Sequence, residues 1–126
     1  MLITMLQVAL GGAIGSAARF AAGAAITRGL GAGGFPLGVL TVNVLGSLLM
    51  GALLVYLGQR GLAALNPFLM TGVLGGFTTF SAFSQETLTL IERGQAGQAA
   101  LYVGVSVAGS LLAVFAGVHI MRTVLA

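Results

Sequence analysis

Charged residues divide this sequence into four long stretches that carry no charge. The charge-free stretches are residues 1–18, 29–59, 61–85 and 94–121. A transmembrane α-helix needs about 20 consecutive, mostly apolar residues, because the hydrocarbon core of a bilayer is about 30 Å thick. We therefore predict an all-α membrane protein with four transmembrane helices, at about 3–27, 36–59, 67–92 and 96–122. Turns are predicted to connect these helices at 29–36, 60–67 and 92–98.

The composition supports this interpretation. Of the 126 residues, 58% are hydrophobic and only 6% are charged, whereas about a quarter of the residues in a soluble domain are charged. We predict one domain, residues 1–126, embedded in a lipid bilayer. No basic residue precedes the apolar residues that follow Met1. The first apolar segment is therefore expected to remain as a transmembrane helix rather than to be cleaved as a signal peptide.

The few charged residues argue against an enzyme and against a nucleic-acid-binding protein. Five scattered arginines and no lysine contribute to a net charge of +3, but nucleic-acid binding needs a clustered basic face. The two carboxylates, Glu86 and Glu92, are six residues apart and do not share a helix face. One histidine and no cysteine cannot form a closed zinc site. We expect no catalytic site.

The arginines near the predicted helix ends give almost no instruction about orientation in the membrane. With four transmembrane helices, Arg60 and Arg122 lie on one side of the bilayer, and Arg28 and Arg93 lie on the other. A bias of lysine and arginine between the two sides normally sets orientation, and here the count is balanced. We predict dual topology, in which the chain inserts both ways and forms an antiparallel homodimer. Such a small count is also compatible with one fixed orientation.

The third apolar segment contains features that disfavour a continuous helix. Gly75 and Gly76 remove two side chains in succession, which lowers helix stability. Phe77, Phe80 and Phe83 follow at three-residue spacing, with threonine and serine hydroxyls among them. Within hydrocarbon, unpaired backbone groups are tolerated only where protein or a water-filled cavity satisfies them. We predict a helix interrupted near the middle of the membrane, with its backbone facing a ligand or a partner chain.

Two polar side chains lie within the first two predicted helices. Arg19 is a functional candidate, because a charge inside a membrane must face a wet cavity or a partner group. We expect it either to attract an anion or to bind carbonyls of the interrupted helix. Asn43 either joins helices by a hydrogen bond or offers its NH₂ group to an anion. Gly11 and Gly15 are expected to allow close helix packing.

Further polar residues follow in the third and fourth predicted helices. Tyr102, Ser106 and Ser110 recur every four residues, so three hydroxyls share one face of an apolar helix. They form either a polar track or, as isolated serines usually do, part of helix packing. Glu86 is predicted near one surface of the hydrocarbon core, either in a vestibule or in an interfacial pair with an arginine.

Hydroxyls, one amide and aromatic ring edges are the groups that this pattern places inside the membrane. Hydroxyl and amide donors can replace the water around an anion, and aromatic rings are positive at their edges. The rings of carboxylates expected in cation pores are absent from the sequence. The pattern indicates a narrow anion pathway in which Phe80 and Phe83 meet a small anion, although a phenylalanine pair alone is more often packing.

Three motifs of this chain resemble the Fluc (CrcB) family of fluoride channels. They are GGAIGSAARF at 11–20, PLGVLTVNVLG at 36–46 and GGFTTFSAFSQE at 75–86. Together with the hydroxyl stripe, they extend over nearly the whole chain in the family's order. The resemblance implies an antiparallel, dual-topology homodimer with two separate pores. It also implies passive fluoride export, which relieves fluoride toxicity, across the cytoplasmic (inner) membrane of a bacterium or archaeon.

The resemblance also implies roles for individual residues. The residues expected along the fluoride pore are Asn43, Phe80, Phe83, Ser84, Tyr102, Ser106 and Ser110. Arg19 and Glu86 are expected in the vestibule. The backbone carbonyls of Gly75 and Thr78, from both subunits, are expected to bind a structural Na⁺ at the dimer interface.

Two other functions are kept as alternatives on sequence grounds. Small proton-coupled transporters of the multidrug-efflux kind also have four transmembrane helices and often dual topology. They use a carboxylate in the first helix, where this chain has Arg19 and no acid. Proton flux driven by a substrate would support that alternative. A membrane subunit without transport activity is the other alternative, and co-purification with a larger complex would support it.

Overall fold

The structure, a computed structural model, describes residues 1–30 and 34–126, and their regular structure is entirely helical. The elements in chain order are α1 (Leu2–Leu30), α2 (Leu37–Gln59), a 3₁₀ turn (Ala63–Leu65), a π-helix (Pro67–Leu74), α3 (Gly75–Phe77), α4 (Phe80–Glu92) and α5 (Ala96–Leu125). The π-helix, α3 and α4 together occupy the third predicted segment. The prediction of an all-α fold is confirmed.

Three of these helices are long and apolar enough to cross a membrane. They are α1 with 29 residues, α2 with 23 and α5 with 30. Helices α1 and α5 each continue three residues beyond the predicted ends at 27 and 122. The prediction ended each helix at the edge of the hydrocarbon. Helical hydrogen bonding continues past that edge, because Arg28 and Arg122 in the last turns can extend their charged groups into water.

Helices α2 and α5 pack against each other through glycines. A Cβ atom added to Gly51 of α2 would overlap the carbonyl oxygen of Val114, and one added to Gly117 of α5 would overlap that of Leu48. Backbone therefore meets backbone on both sides of this contact. Close approach of this kind is how membrane helices associate where the hydrophobic effect contributes little.

Helix α1 packs in the same way along the π-helix and α3. A Cβ atom added to Gly11 would lie 2.9 Å from the Cα atom of Gly72, and one added to Gly15 would lie 2.9 Å from the backbone nitrogen of Phe77. Neither position leaves room for a side chain. The predicted packing role of Gly11 and Gly15 is confirmed.

Helical geometry stops after Phe77 and resumes at Phe80, and we call the two residues between them the break. Thr78 has φ −92° and ψ 156°, and Thr79 has φ −151° and ψ 122°, so both are extended. Gly75, by contrast, is helical, with φ −62° and ψ −37°. The extended residues therefore lie two positions after the glycine pair on which the sequence argument rested.

The turns between the helices use glycine where the backbone becomes left-handed. Gly94 follows α4 with φ 77°, and Gly61 follows α2 with φ 66°. These positions lie in the connections predicted at 92–98 and 60–67. The third predicted connection, 29–36, includes residues 31–33, which lie outside the described residues.

Candidate functional site

The break is attached to α2 by the side chain of Asn43. The Nδ2 group of Asn43 donates to the carbonyl oxygen of Thr79 at 3.0 Å, and the N–H of Thr79 donates to Oδ1 of Asn43 at 2.8 Å. One amide side chain therefore satisfies both backbone groups of a residue 36 positions away. The glue role considered for Asn43 is present in the structure. Only one of its two N–H donors is used in this pairing, so the other is available to a ligand.

The other side of the break is attached to α1 by Arg19. The Nε group of Arg19 donates to the carbonyl oxygen of Gly76 at 3.1 Å. Of the two expectations for this arginine, the structure shows the binding of a carbonyl in the interrupted segment. Its guanidinium also lines a cavity, so the two expectations do not exclude each other.

Thr79 begins α4 as its N-cap. Its Oγ1 atom accepts a hydrogen bond from the N–H of Ala82 at 3.2 Å, and its hydroxyl lies 3.3 Å from that of Ser81. Threonine is a favoured N-cap because its short side chain reaches the unpaired N–H groups of the first turn. This rule, applied to the threonine that precedes Phe80, could have located the start of α4 in the sequence.

A cavity of about 710 Å³, which we call the Arg19 cavity, lies between α1, the start of α2 and the second half of α4. Three arginines line it, Arg19, Arg28 and Arg93, together with the carboxylate residue Glu86. The two residues predicted for the vestibule, Arg19 and Glu86, are therefore brought together. Arg28 and Arg93 add positive charge that the sequence analysis did not assign to the site.

A second cavity, which we call the Asn43 cavity, has a volume of about 360 Å³. The predicted pore residues that line it are Asn43, Phe80, Phe83, Ser106 and Ser110. None of the described residues that line it is charged. The Oγ atom of Ser106 is buried and has no hydrogen-bond partner among the described residues, so one donor is available to an occupant of the cavity.

Aromatic rings form a continuous series along this side of the molecule. The Phe80 and Phe83 ring centroids are 5.4 Å apart, those of Phe83 and Tyr102 are 5.1 Å apart, and Phe35 meets Tyr102 edge-on at 5.7 Å. The hydroxyl of Tyr102 donates to Oε2 of Glu86 at 3.2 Å. Tyr102 thus joins the phenylalanine pair to the carboxylate of the Arg19 cavity.

Some predicted and unpredicted residues stand apart from this arrangement. Ser84 is exposed and its hydroxyl donates to the Phe80 carbonyl oxygen at 3.0 Å within its own helix. It is not among the residues that line the Asn43 cavity. Phe35 was not predicted, since it precedes Pro36 in a predicted turn and no periodic pattern includes it.

The carbonyls at and before the break differ in whether they accept a hydrogen bond. The Gly76 and Thr79 carbonyls accept hydrogen bonds from Arg19 and Asn43. No hydrogen bond to the carbonyl of Gly75, Phe77 or Thr78 is found within residues 1–30 and 34–126. Three backbone acceptors therefore lack partners, and carbonyl oxygens of this kind are ligands for hard cations.

The geometry therefore combines uncharged donors and aromatic rings in one cavity with a basic lining in the other. Neutral N–H and O–H donors suit an anion that has lost its water, and the basic cavity would concentrate anions beside them. The described part of the chain contains no cluster of three or more histidine, cysteine or acidic residues that could hold a metal through side chains. The arrangement fits passage of a small anion.

Comparison with known proteins identifies the family. A sequence model of the family described as "CrcB-like protein, Camphor Resistance (CrcB)" matches residues 6–118. The chain is similar to the "Fluoride-specific ion channel FluC" of Ruegeria sp. (strain TM1040), with 59% identity over 125 residues, 99% of each chain. It is also similar to the protein of that name from Roseobacter denitrificans (strain ATCC 33942 / OCh 114), with 52% identity over 122 residues, 96% of this chain and 97% of the relative.

A third relative of the same name, from Cereibacter sphaeroides (strain ATCC 17029 / ATH 2.4.9), is 54% identical over 122 residues, 97% of each chain. The family match covers the three motifs at 11–20, 36–46 and 75–86. With its membrane-spanning helices, the protein is a multi-pass membrane protein. The resemblance inferred from the motifs is confirmed, and the chain belongs to the CrcB-like family.

Proposed function

We propose that this protein is a fluoride-selective channel that exports fluoride passively, without catalysis, and so relieves fluoride toxicity. The observation that carries the proposal is the Asn43 cavity, which combines an amide, serine hydroxyls and the Phe80–Phe83 pair without a charged residue among its described lining. A pathway for a larger anion would not need neutral donors so close together. The relatives are named as fluoride-specific ion channels, and none of those names describes a proton-coupled transporter or an enzyme.

The proposed pathway begins in the Arg19 cavity. Three arginines and one glutamate give its lining an excess of positive charge, which raises the local concentration of fluoride. Fluoride then passes the Tyr102 hydroxyl and the edges of Phe83 and Phe80, where the positive ring edges face the ion. In the Asn43 cavity, the free N–H of Asn43 and the hydroxyls of Ser106 and Ser110 replace its water. Ser84, at the surface beside Phe80, would contribute only where a partner chain covers it.

The proposed functional unit is an antiparallel, dual-topology homodimer with two pores. Phe80 is 77% exposed in the single chain, whereas Phe83 is 8% exposed. A large aromatic residue of the pathway that is open on one side is expected if a second copy completes the wall. The balance of Arg60 and Arg122 against Arg28 and Arg93 supports insertion in both orientations.

We further propose a structural Na⁺ at the dimer interface, bound by the carbonyls of Gly75 and Thr78 from both subunits. The carbonyls of Gly75 and Thr78 fit this ion, because neither accepts a hydrogen bond from the described residues, hard cations prefer oxygen ligands, and membrane proteins use unwound carbonyls for them. The ion would bind these carbonyl oxygens, which accept no hydrogen bond from the described residues. This proposal places the break near the middle of the membrane, where unpaired backbone is otherwise costly.

The proposed location is the cytoplasmic (inner) membrane of a bacterial or archaeal cell. Passive export protects a cell only if the channel lies in the membrane that encloses the cytoplasm. The multi-pass helical fold fits a lipid bilayer, since each long helix satisfies its own backbone hydrogen bonds.

The test is fluoride efflux from liposomes that contain the purified protein, measured with a fluoride electrode. Potassium and valinomycin remove the voltage that would otherwise stop the flux. Rapid release of fluoride with retention of chloride is expected. A well-folded protein that releases no fluoride would contradict the proposal, and proton flux driven by an organic cation would then favour the coupled transporter.

A further inference from the structure

The carbonyls of residues 75–79 differ in their hydrogen bonding. The carbonyl of Gly76 accepts from Arg19 and that of Thr79 accepts from Asn43, whereas those of Gly75, Phe77 and Thr78 have no partner among the described residues. The two paired carbonyls are three residues apart, and so are those of Gly75 and Thr78. Two side chains from different helices thus occupy two of the five acceptors and leave the carbonyls of Gly75 and Thr78 open.

We infer that Arg19 and Asn43 are positioning residues that orient the Gly75 and Thr78 carbonyls for a cation, by holding the neighbouring peptide groups. The inference rests on the sodium site proposed above. It assigns to Asn43 a role besides that of a fluoride donor, and to Arg19 a role that depends on its Nε–H group rather than on its charge.

The orientation by Asn43 follows from the planarity of the peptide bond. The N–H of Thr79 and the carbonyl of Thr78 belong to one peptide group, and the described residues contain no cis peptide bond. In a trans peptide these two groups point in opposite directions. Since the N–H of Thr79 points at Oδ1 of Asn43 with a distance of 2.8 Å, the Thr78 carbonyl points away from Asn43.

The second bond of Asn43 makes this orientation rigid. Its Nδ2 group holds the carbonyl of Thr79, so the peptide groups on both sides of Thr79 are fixed by one side chain. The N–H of Thr78 still donates to the carbonyl oxygen of Leu74 at 3.1 Å, but that bond fixes the peptide group before Thr78. Among the described residues, only Asn43 holds the peptide group between Thr78 and Thr79 by a hydrogen bond. Without Asn43, the Thr78 carbonyl would lose a fixed direction.

Arg19 acts on the other side of the break. Its bond to the Gly76 carbonyl removes that oxygen as a competing acceptor and attaches the end of α3 to α1. Arg19 lines the Arg19 cavity and Asn43 lines the Asn43 cavity. One residue of each cavity therefore binds the backbone at or next to the break. In this way the Arg19 cavity and the Asn43 cavity each contribute one residue to the geometry of the proposed cation site.

The test measures how sodium changes the thermal stability of the full-length protein in detergent. Sodium chloride is titrated against N-methylglucamine chloride at constant ionic strength, and the sodium concentration that gives half of the rise in melting temperature is recorded. A matched pair of variants addresses Arg19. In Arg19→Gln, the side-chain NH₂ group lies about where Nε of arginine lies, so the variant keeps a donor but has no charge. In Arg19→Met, the side chain is as long as that of glutamine but has neither a charge nor a donor.

We expect Arg19→Met to raise the half-saturating sodium concentration about tenfold, as loss of one hydrogen bond would, and Arg19→Gln, which keeps a donor, to remain within about twofold of the wild type. Asn43→Leu should also raise it about tenfold. Arg28→Met, which removes a charge from the same helix and cavity, and Ser47→Ala, one turn from Asn43, are the controls. Both should leave the sodium midpoint unchanged.

Each possible result bears on the inference. Arg19→Met and Asn43→Leu proteins that melt at lower temperature but keep the wild-type sodium midpoint would overturn it, since that result describes general destabilisation. Equal shifts in Arg19→Met and Arg19→Gln would assign the effect to charge and also overturn it. If Asn43→Leu yields no folded protein, the Arg19 pair decides. A wild-type melting temperature independent of sodium would refute the cation site itself, while fluoride efflux from liposomes tests the channel separately.

Discussion

Replacement of Gly76 by alanine tests how closely α1 must approach the interrupted segment. The added Cβ atom would lie 2.8 Å from the carbonyl oxygen of Gly12, 3.1 Å from its Cα atom and 3.2 Å from the backbone nitrogen of Ser16. All three neighbours are backbone atoms and cannot rotate away. Because comfortable separations begin at about 3.5 Å, α1 would have to move by roughly 0.5 Å, at a cost of about 1–3 kcal/mol.

The movement would also lengthen the 3.1 Å hydrogen bond from Arg19 to the Gly76 carbonyl. We therefore expect a melting temperature in detergent several degrees lower, measured by circular dichroism, together with reduced fluoride efflux. Gly12→Ala is the matched control, because a Cβ atom at Gly12 meets no atom within 4 Å. The Gly12→Ala variant gains helix propensity as Gly76→Ala does, but its added Cβ atom overlaps no neighbouring atom. A Gly76→Ala protein that melts at or above the Gly12→Ala protein would refute the reasoning.

Four further substitutions test the proposed pathway by fluoride efflux from liposomes. Phe80→Ile and Phe83→Ile keep similar bulk but remove the ring edges, so flux should fall strongly in an intact protein; unchanged flux in both would remove the aromatic pair from the mechanism. Asn43→Asp places a negative charge in the Asn43 cavity and should block fluoride, and wild-type conduction would exclude Asn43 from the pore. Tyr102→Phe removes the 3.2 Å hydrogen bond to Glu86. It should lower the free energy of unfolding by only about 1 kcal/mol and should also lower the fluoride flux. Equal flux would show that the hydroxyl takes no part.

The helical segments were predictable because their signal is local. Charge-free stretches, together with Pro36 and Pro67 near helix starts, give the segments to within a few residues. The small-residue spacing of Gly11 and Gly15 also predicted a real contact. These features depend on residues close in sequence, where hydropathy and backbone preferences determine the outcome.

The details of the break were less accessible, because they depend on contacts between distant residues. Gly76 suggested a weak point in a helix, but it is a place of close approach to α1. The pairing of Asn43 with Thr79 joins residues 36 positions apart, and no periodicity encodes it. The π-helical geometry of Pro67–Leu74 was also not predicted, since the sequence of this segment resembles that of an ordinary apolar helix; in the structure the segment packs against α1.

The break has an electrostatic consequence that follows from the dipoles of its two helices. The carboxyl end of a helix carries about half a negative charge and the amino end about half a positive charge. The helical run formed by the π-helix and α3 ends at Phe77, and α4 begins at Phe80, so ends of opposite sign meet within the same short stretch. The negative end suits the proposed sodium ion, and the positive end suits a passing anion. Peptide groups that do not titrate would therefore serve both ions, and this part of the pathway would work equally well at any pH at which the fold is stable.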